Sequence, residues 1–492
     1  MEDNELELNE LMIQRRYKLQ ELVSSNINPY KGKFEQKNYI SEIISTHKNL
    51  QPGENTDNRV IVAGRIMALR KHGKASFAVI SDVSGKIQLY LSIDKLGEKA
   101  YHFSTDSDIG DWVGISGLVF KTHRGELSIA VDKFELLSKS LRPFPEKWHG
   151  LKDVEIRHRQ RYVDLIVNSG VKELFIKRNK IIKFIRNFLD EKGFLEVETP
   201  MLQSIPGGAT ARPFTTHHNA LDIDLYLRIA PELYLKRLIV GGLERVYELN
   251  RNFRNEGMSA KHNPEFTMLE IYQAYADYND MIKFTQELIS SVVKELCDST
   301  IIEYEDNKLD FSDGWREYTM LEAIEKFAGI KLSFEMEIGE LKAIAKQHQV
   351  AIKDNFGKGK IITEIFDKLI EGQLIQPTFI KDYPIEVTPL AKQHPDNPNL
   401  TERFELIIAG REIANAFSEL INPLEQRKRF EQQLDENDEE AQRIDEDFLR
   451  ALEYGMPPTG GLGIGIDRLI MLLTNSHSIQ EVILFPQMKP ES

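Results

Sequence analysis

A single cysteine, Cys297, in 492 residues leaves no internal disulfide and no cysteine-cluster metal site, and it reads as a small buried residue. No apolar run approaches the roughly 20 residues that span a bilayer. The opening Met-Glu-Asp-Asn-Glu-Leu is too acidic and polar for a secretory signal, so a cytoplasmic protein is expected. Internal repeats and low-complexity tracts are missing as well. Positive charge is in deficit, with 63 Lys and Arg against 77 Asp and Glu and a formal net charge of −14. Any nucleic-acid contact must then come from a local basic surface. What is there is 41% hydrophobic and 28% charged, the make-up of globular domains. The length exceeds what one core usually serves, so two or more domains are expected.

The deficit is uneven. Residues 1–150 hold 21 Lys and Arg against 20 Asp and Glu, and the remainder 42 against 57, so the chain is expected to divide near residue 150. An N-terminal extension, 1–57, begins with an exposed helix on which Leu8, Leu11, Met12, Leu19 and Leu22 fall near helical spacing. From 58 to 140 the pattern changes to short strands: Arg59 to Arg70, Ala75 to Val83, Lys86 to Ile93, Trp112 to Lys121 and Glu126 to Phe134. A short helix fits around Gly97 to Phe103, and turns are marked by Gly73, Ser84-Gly85 and Arg124-Gly125. Five strands with a helix between the third and fourth fit an oligonucleotide-binding barrel. Between Arg59 and Lys99 stand eight basic and three acidic residues, the positive face that the whole chain lacks. Phe77 and Tyr90 would offer stacking surfaces and Gln88 an edge that reads bases; burial of both aromatics in the barrel core is the competing reading. Arg142-Pro-Phe-Pro to Trp148-His-Gly opens a linker, 141–170, stiffened by its prolines.

The rest, 171–492, reads as one larger domain. A helix, Val171 to Lys192, closes at Gly193, and a strand from Phe194 to Thr199 ends at Pro200. A Gly-Gly-Ala loop follows at 207–209. Strand Leu225 to Ile229 leads through Pro231 into a helix with Glu232 in its first turn, and strand Val246 to Asn250 comes next. The stretch from Arg251 to Tyr272 is the most informative of all. Arg251 and Arg254 flank a Phe at the mouth of a loop, where guanidinium forks suit phosphate oxygens. Strand alternation then puts Phe266, Met268, Glu270 and Tyr272 on one face. An Arg beside an aromatic plane, with carboxylates deeper in, suits a nucleotide together with a small cation. Residues 281–400 read as a mostly helical insertion.

Chemistry resumes at Phe404. Two strands about a Gly410 turn let Glu405 and Glu412 converge, and paired carboxylates beside a polyphosphate site hold Mg²⁺ through one or two protein ligands. Solvated surface acids are the plain alternative. Asn415, Phe417 and Glu419 have the parity opposite to Glu412, so a bend near 412 is needed if all are to face one pocket. Gly460-Gly-Leu-Gly-Ile-Gly-Ile-Asp-Arg468 is a glycine-rich strand entering a helix, which lets backbone approach a ligand. It is not a dinucleotide fingerprint, since it brings an Arg in place of an acidic ribose hook.

These pieces together resemble one family. Phe253-Arg254-Asn255-Glu256 resembles motif 2 of the class II aminoacyl-tRNA synthetases, Gly463-Ile-Gly-Ile-Asp-Arg468 their motif 3, and the helix and strand ending at Pro200 their motif 1. Pro206-Gly-Gly-Ala, His217-His-Asn-Ala, Leu227-Arg-Ile-Ala-Pro-Glu-Leu-Tyr-Leu-Lys, His262-Asn-Pro-Glu-Phe-Thr-Met and Phe417-Ser-Glu-Leu are similar to the lysine-specific, bacterial-type branch. The resemblance implies an α+β protein, an N-terminal five-stranded OB-fold β-barrel followed by a class II catalytic domain on an antiparallel β-sheet flanked by helices. It implies ATP-dependent activation of L-lysine to lysyl-adenylate and transfer to the 3′ end of tRNA(Lys), with Mg²⁺, in a homodimer. Arg254, Arg468 and Glu256 would be catalytic, and these with His262 and Phe266 would bind ATP. Lysine would meet Gly208, Glu232, Glu270, Tyr272, Asn415, Phe417 and Glu419. The metal carboxylates would be Glu405 and Glu412, and Phe77, Gln88 and Glu126 would read the anticodon. Ala414 and Ala416 depart from the glycines common in relatives, while keeping those positions small.

Residue physics points to lysine independently, because Glu232, Glu270 and Glu419 in one pocket call for a cationic guest. An aspartyl or asparaginyl enzyme shares the barrel and motifs but would need Arg or Lys there. A paralogue that lysylates a protein would lack the barrel. A catalytically inactive nucleic-acid-binding scaffold would not need every catalytic residue type in place.

Overall fold

The computed structural model of the protein describes residues 10–145, 151, 153–312, 314–435 and 444–491; Leu8 and the Trp148 to Gly150 stretch of the expected linker lie outside them. The chain separates into two compact units, Met1–Lys152 and Asp153–Ser492.

The first unit opens with helices α1 (Glu10–Ser24) and α2 (Ile40–Thr46). Strands β1 (Asn55–His72), β2 (Ala75–Ser81) and β3 (Lys86–Ser92) follow, then helices α3 (Ile93–Leu96) and α4 (Glu98–Thr105), then β4 (Trp112–Lys121) and β5 (Leu127–Ser138). The strands close a barrel in the order β1-β2-β3-β5-β4, the OB-fold anticipated from the strand spacing. Val60, Val62, Ile80, Leu89, Val119 and Ile129 fill it, alternating with outward residues as the pleat requires. A register shift between Ile66 and Ala68 lets the long first strand turn the corner between its two neighbours. Helix α1 is less exposed than its charge pattern suggests. Met12 and Arg15 are buried, and Arg15 donates to the carbonyls of Ile109 and Arg142 at 2.9 and 2.8 Å.

The second unit begins inside the expected linker, where α5 (Val154–Arg159) and α6 (Arg161–Val167) form. The Asp153 carboxylate caps α5 by accepting from the Ile156 N–H. Arg161, buried against Asp164 at 2.6 Å, donates to the carbonyl of Leu484, 323 residues along the chain. So distant an anchor leaves no local signal, which is why proline content suggested a linker. Helix α7 (Ser169–Glu191) ends at Gly193, whose φ of 78° suits glycine.

Next come β6 (Leu195–Glu196), β7 (Leu202–Gln203), β8 (Thr215–His218), β9 (Ile223–Leu227), α8 (Glu232–Val240), β10 (Arg245–Phe253), β11 (Glu265–Ala274) and α9 (Tyr278–Cys297). Cys297 is half-buried rather than buried, because it ends its helix. Strands β12 (Ile301–Tyr304), β13 (Asn307–Asp310) and β14 (Arg316–Thr319) precede helices α10 (Met320–Ala328), α11 (Ile338–Gln347) and α12 (Lys358–Leu369), and then strand β15 (Thr378–Pro384). Residues 281–400 are therefore not one helical insertion. Helix α9 packs in the core of the main sheet, β14 and β15 extend that sheet, and only α10 to α12 build a core of their own around Ile324, Leu341, Ile361 and Phe366. The prolines that bracket β15, Pro377 and Pro384, hid its strand character.

The chain ends with β16 (Leu400–Ile408), β17 (Arg411–Ser418), α13 (Pro423–Asp435), α14 (Glu446–Glu453), β18 (Thr459–Gly465), α15 (Ile466–Thr474) and α16 (Ile479–Val482). The main sheet runs β14-β15-β16-β17-β18-β11-β10-β6, antiparallel except for the pair at each edge. One face is core, where Leu269, Ile271, Leu406, Ala414, Ala416, Leu462 and Ile464 meet α7, α9 and α15. The polar residues of the same strands face the other way. Among the described residues no helix is long and apolar enough to cross a membrane.

Beside that polar face, Arg228 and Glu248 pair at 2.5 Å with both side chains 1% exposed, and the Thr199 hydroxyl donates to the second Glu248 oxygen at 2.6 Å. Glu248→Ala should leave a buried, unpaired guanidinium and cost about 3–5 kcal/mol. A urea midpoint shift worth less than about 1 kcal/mol, an exposed-pair value, would contradict this.

Candidate active site

A cavity of about 370 Å³ opens on the polar face of the main sheet, within the usual size range for small-ligand sites. Phe266, Met268, Glu270 and Tyr272 all line it, as the alternation along β11 requires. Strand β18 lies between β11 and β17 and presents glycine toward the cavity. Gly461 is paired with Tyr272 on one side and Phe417 on the other, and Gly463 with Glu270 and Asn415. A Cβ on Gly461 would sit 1.9 Å from Glu419 Oε1, and one on Gly463 2.7 Å from Met268 Cε.

The parity conflict around Glu412 is resolved by a shift in register. Leu406 pairs with Ala414, but Ile407 pairs with Glu412, so Ile413 is an extra residue in β17. Glu405, Glu412, Asn415 and Phe417 consequently all line the cavity. The β16–β17 turn uses Ala409 and Gly410 at φ 52° and 65°, the paired left-handed geometry of a two-residue hairpin. Ala414 and Ala416 belong to the core cluster, and Ala414 also borders the cavity.

One end of the site is acidic. Glu232, Glu270 and Glu419 are all buried, and the Tyr272 hydroxyl donates to Glu270 Oε2 at 3.2 Å. Burial, reinforced by repulsion from Glu232, pushes the Glu270 carboxyl up to about 8. Gly208 closes this end with a φ of 87°, and a Cβ there would lie 2.8 Å from that of Glu232. Beneath the floor, Lys236 of α8 is buried with its ammonium 2.6 Å from Glu232 Oε1 and paired also with Glu419 Oε2.

The other end is cationic and aromatic. The Arg254 guanidinium lies over the Phe266 ring, 5.2 Å from its centroid, and its Nε is buried with no protein hydrogen-bond partner. Arg468 pairs with groups on β17 and in the loop before β11. It donates to the Glu412 carbonyl at 2.8 Å, to Glu412 Oε2 at 3.2 Å and to His262 Nε2 at 3.3 Å. Since Arg only donates, that His262 nitrogen accepts, and the Nδ1 proton faces Ser259 Oγ at 3.0 Å. Burial and then Arg468 hold His262 below its ordinary pKa, consistent with a neutral ring. Asp467 anchors this end, taking Arg178 of α7 at 2.6 Å and the Thr267 N–H at 2.7 Å. Glu256 stands exposed in the loop after Arg254, facing the cavity. Arg251 is not brought in, for it faces away and pairs with Glu265 at 3.5 Å.

Two residues of the site escaped the sequence reading. Arg403 donates to Glu405 at 2.6 Å and to Asn415 at 3.1 Å, and its parity with Glu405 was the available signal. Lys236 stands one helical turn from Glu232, a spacing that puts both on one face.

On the barrel, Phe77, Gln88 and Tyr90 are half-buried on the outward face, not in the core. Phe77 and Tyr90 are cross-strand partners with ring centroids 5.4 Å apart, and Tyr90 meets Phe120 edge-on at 5.9 Å. Gln88 donates to the Ser128 hydroxyl, which donates to the Glu126 carbonyl, so these three residues adjoin.

This geometry agrees with comparisons to known proteins. Residues 153–489 match the model of the class II tRNA synthetases (D, K and N), and residues 60–137 that of the OB-fold nucleic acid binding domain. A "Lysine--tRNA ligase" of Carboxydothermus hydrogenoformans is 57% identical over 98% of this chain and 99% of its own. Proteins of the same name from Pelotomaculum thermopropionicum and Bacillus subtilis are 56% and 52% identical, each over 99% of this chain and 96% and 99% of their own. The chain belongs to the class II tRNA synthetases and, within them, to the lysine–tRNA ligase family.

Folding favours the neutral form of Glu270. Its contribution to stability is therefore full below the unfolded carboxyl pKa of about 4.3, and it is lost as pH rises through about 8. Glu270→Gln should raise the melting temperature by several degrees at pH 9 but little at pH 5; an equal change at both would contradict the burial of an uncompensated carboxyl.

Proposed function

We propose that the chain uses ATP to activate L-lysine as lysyl-adenylate and then transfers the lysyl group to the terminal adenosine hydroxyl of tRNA(Lys), in the cytoplasm and as a homodimer. The observation that carries this reading is the polarity of the cavity, with Glu232 and Glu270 lining one end, Glu419 buried behind Gly461 beside them, and Arg254 over Phe266 at the other end. The acidic end suits the two ammonium groups of lysine: Glu232 and Glu270 take the α-ammonium with Gly208 beside it, and Glu419 with the Tyr272 hydroxyl takes the ε-ammonium. Phe417 lies along the aliphatic stem and Asn415 meets the carboxylate. An analogue without an amine would strand a buried carboxylate, which is how such a site discriminates.

At the other end Phe266 stacks on adenine. Its arrival displaces Arg254 from the ring face and frees that guanidinium for the α-phosphate, while Arg468 covers the opposite face of the base. His262 and Glu256 assist on the nucleotide side. Negative charge accumulates at the α-phosphate when the lysine carboxylate attacks and pyrophosphate leaves, and preorganised Arg254 stabilises it without a protein nucleophile.

Glu405 and Glu412 are oxygen donors of the kind a hard cation takes, on adjacent strands and partly neutralised by Arg403 and Arg468. Among the described residues no group of three or more His, Cys, Asp or Glu gathers as a metal site, which suits Mg²⁺ held by two carboxylates with phosphate oxygens completing its shell. Bound there, Mg²⁺ would offset the charge of the polyphosphate. Phe77, Gln88 and Glu126 on the barrel would meet the anticodon. Exposed Ile176, Leu195 and Leu202 suit a surface for self-association.

Pyrophosphate exchange with each of the twenty amino acids tests the reading, and stimulation by lysine alone is expected. Arg254→Ala should slow lysine-dependent exchange by about 10²–10³ with tRNA binding retained; a wild-type rate would refute the role of Arg254. Because lysine needs the ionised carboxylate, its affinity should rise as pH approaches about 8 and level off above. A flat profile between pH 6 and 9 would count against Glu270 as a ligand.

A further inference from the structure

Lys236 is a buried charged group beside the cavity that the reaction as described does not use. It projects from α8 beneath the acidic end of the cavity, with none of its side chain exposed, and its ammonium lies 5.5 Å from the centre of the Phe417 ring. It contacts one oxygen of each of two carboxylates, Oε1 of Glu232 and Oε2 of Glu419. The other Glu419 oxygen, Oε1, is buried, has no hydrogen-bond partner in the protein, and lies over Gly461, where Gly461 and Tyr272 line the cavity.

A lysine side chain sealed under a pocket for lysine invites two readings. It is either a placeholder that must leave when the amino acid arrives, or a resident counter-ion. Its surroundings favour residence. No part of it reaches solvent, and it grows from the helix that carries Glu232, one turn away. The charged or titratable groups facing this pair of carboxylates are Glu232 and Lys236 from α8, Glu270 and Tyr272 from β11, Glu419 after β17, and Arg403 from β16. Three carboxylates packed together without a cation would take up protons, and a protonated carboxyl is a poor partner for an ammonium group. Burial opposes the Lys236 ammonium, but Glu232 and Glu419 outweigh it and hold its pKa above the ordinary value.

We infer that Lys236 is a positioning and specificity-determining residue: its ammonium fixes one oxygen of Glu232 and one of Glu419, so that the other oxygen of each is presented, ionised, to the incoming amino acid. This rests on the assignment of lysine to the acidic end. Its consequence is a charge match. With Arg403 paired to Glu405, three acids and one resident base leave two negative charges for the two ammonium groups of lysine.

The test compares Lys236→Met with wild type in lysine-dependent pyrophosphate exchange across pH 6.5–9.5. The KM for lysine should rise at least about tenfold near neutral pH, and the pH at which lysine affinity is half-maximal should move upward by about one unit, the two being equivalent changes. The KM for ATP should change little. A loss of kcat with no shift of the profile overturns the proposal, because a purely structural role predicts that. Glu270→Gln separates the inference from the reading beneath it. If Glu270→Gln impairs lysine binding and Lys236→Met does not, the role of Lys236 falls alone; if neither does, the assignment of the lysine site falls. Should Lys236→Met fail to fold, the crystal structure of the wild-type protein with L-lysine decides. The Lys236 ammonium still within hydrogen-bond distance of both Glu232 and Glu419 supports residence, and its displacement by the ligand overturns it.

Discussion

Between β11 and β17 there is room for a strand but not for its side chains. Any side chain on the cavity face of β18 would stand between Tyr272 and Phe417, or between Glu270 and Asn415, the pairs that lie across it in register. Glycine at 461 and 463 removes that obstruction and brings the functional side chains of both neighbours over bare backbone. The same strand keeps Leu462 and Ile464 on its other face, where they belong to the core. An alternation of glycine and aliphatic residue thus makes one strand both the floor of a ligand cavity and the centre of a hydrophobic layer. Asp467 then ties the helix that follows to α7 and to the backbone beside Phe266, so the cationic end is held by the same segment that clears the floor.

Opening that space has an electrostatic cost that the fold accepts. Glu232, Glu270 and Glu419 are each less than 6% exposed, and burial lifts all three carboxyls above their ordinary range. A cluster of this kind weakens the folded state in the absence of a cation, yet the unmet demand is what makes it discriminate. Contrast the Arg228–Glu248 pair a few residues away. There both charges are partnered inside the protein and the Thr199 hydroxyl fills the remaining oxygen. One acid is satisfied internally and holds strands together, while its cross-strand neighbour Glu270 has, among the described residues, a tyrosine hydroxyl as its hydrogen-bond donor. The difference between a structural and a ligand-binding carboxylate here is the number of donors that the fold supplies.

Much of this was legible in the chain because the informative segments are local. The barrel announced itself through strand length and turns, and the Phe266 to Tyr272 face through simple alternation. Features that depend on distant partners were not legible. Helices α5 and α6 rest on carbonyls near the C-terminus, strand β15 is hidden by its prolines, and α9 packs in the core of the main sheet although it falls within the stretch that reads as a helical insertion. Arg403 and Lys236 were overlooked because each is an ordinary basic residue until its neighbours are known. Arg254 was legible as a phosphate-binding candidate, but its place over Phe266 could come only from three dimensions.

The extra residue in β17 shows how little separates a legible pattern from a misleading one. With strict alternation, Glu412 and Asn415 fall on opposite faces of the sheet, and either the acidic pair or the Asn415–Phe417 ledge would be lost to the core. Inserting Ile413 reverses the parity at a single point, and the residue inserted is itself buried among core side chains, so the irregular backbone is fastened from behind. The hairpin of Ala409 and Gly410 stands immediately before it, which confines the register change to the end of β16 and the start of β17. C-terminal to the bulge, Asn415 and Phe417 keep the register that serves the amino-acid end of the cavity, and N-terminal to it Glu412 serves the carboxylate pair. One added residue therefore lets a single strand contribute to both ends of the same site.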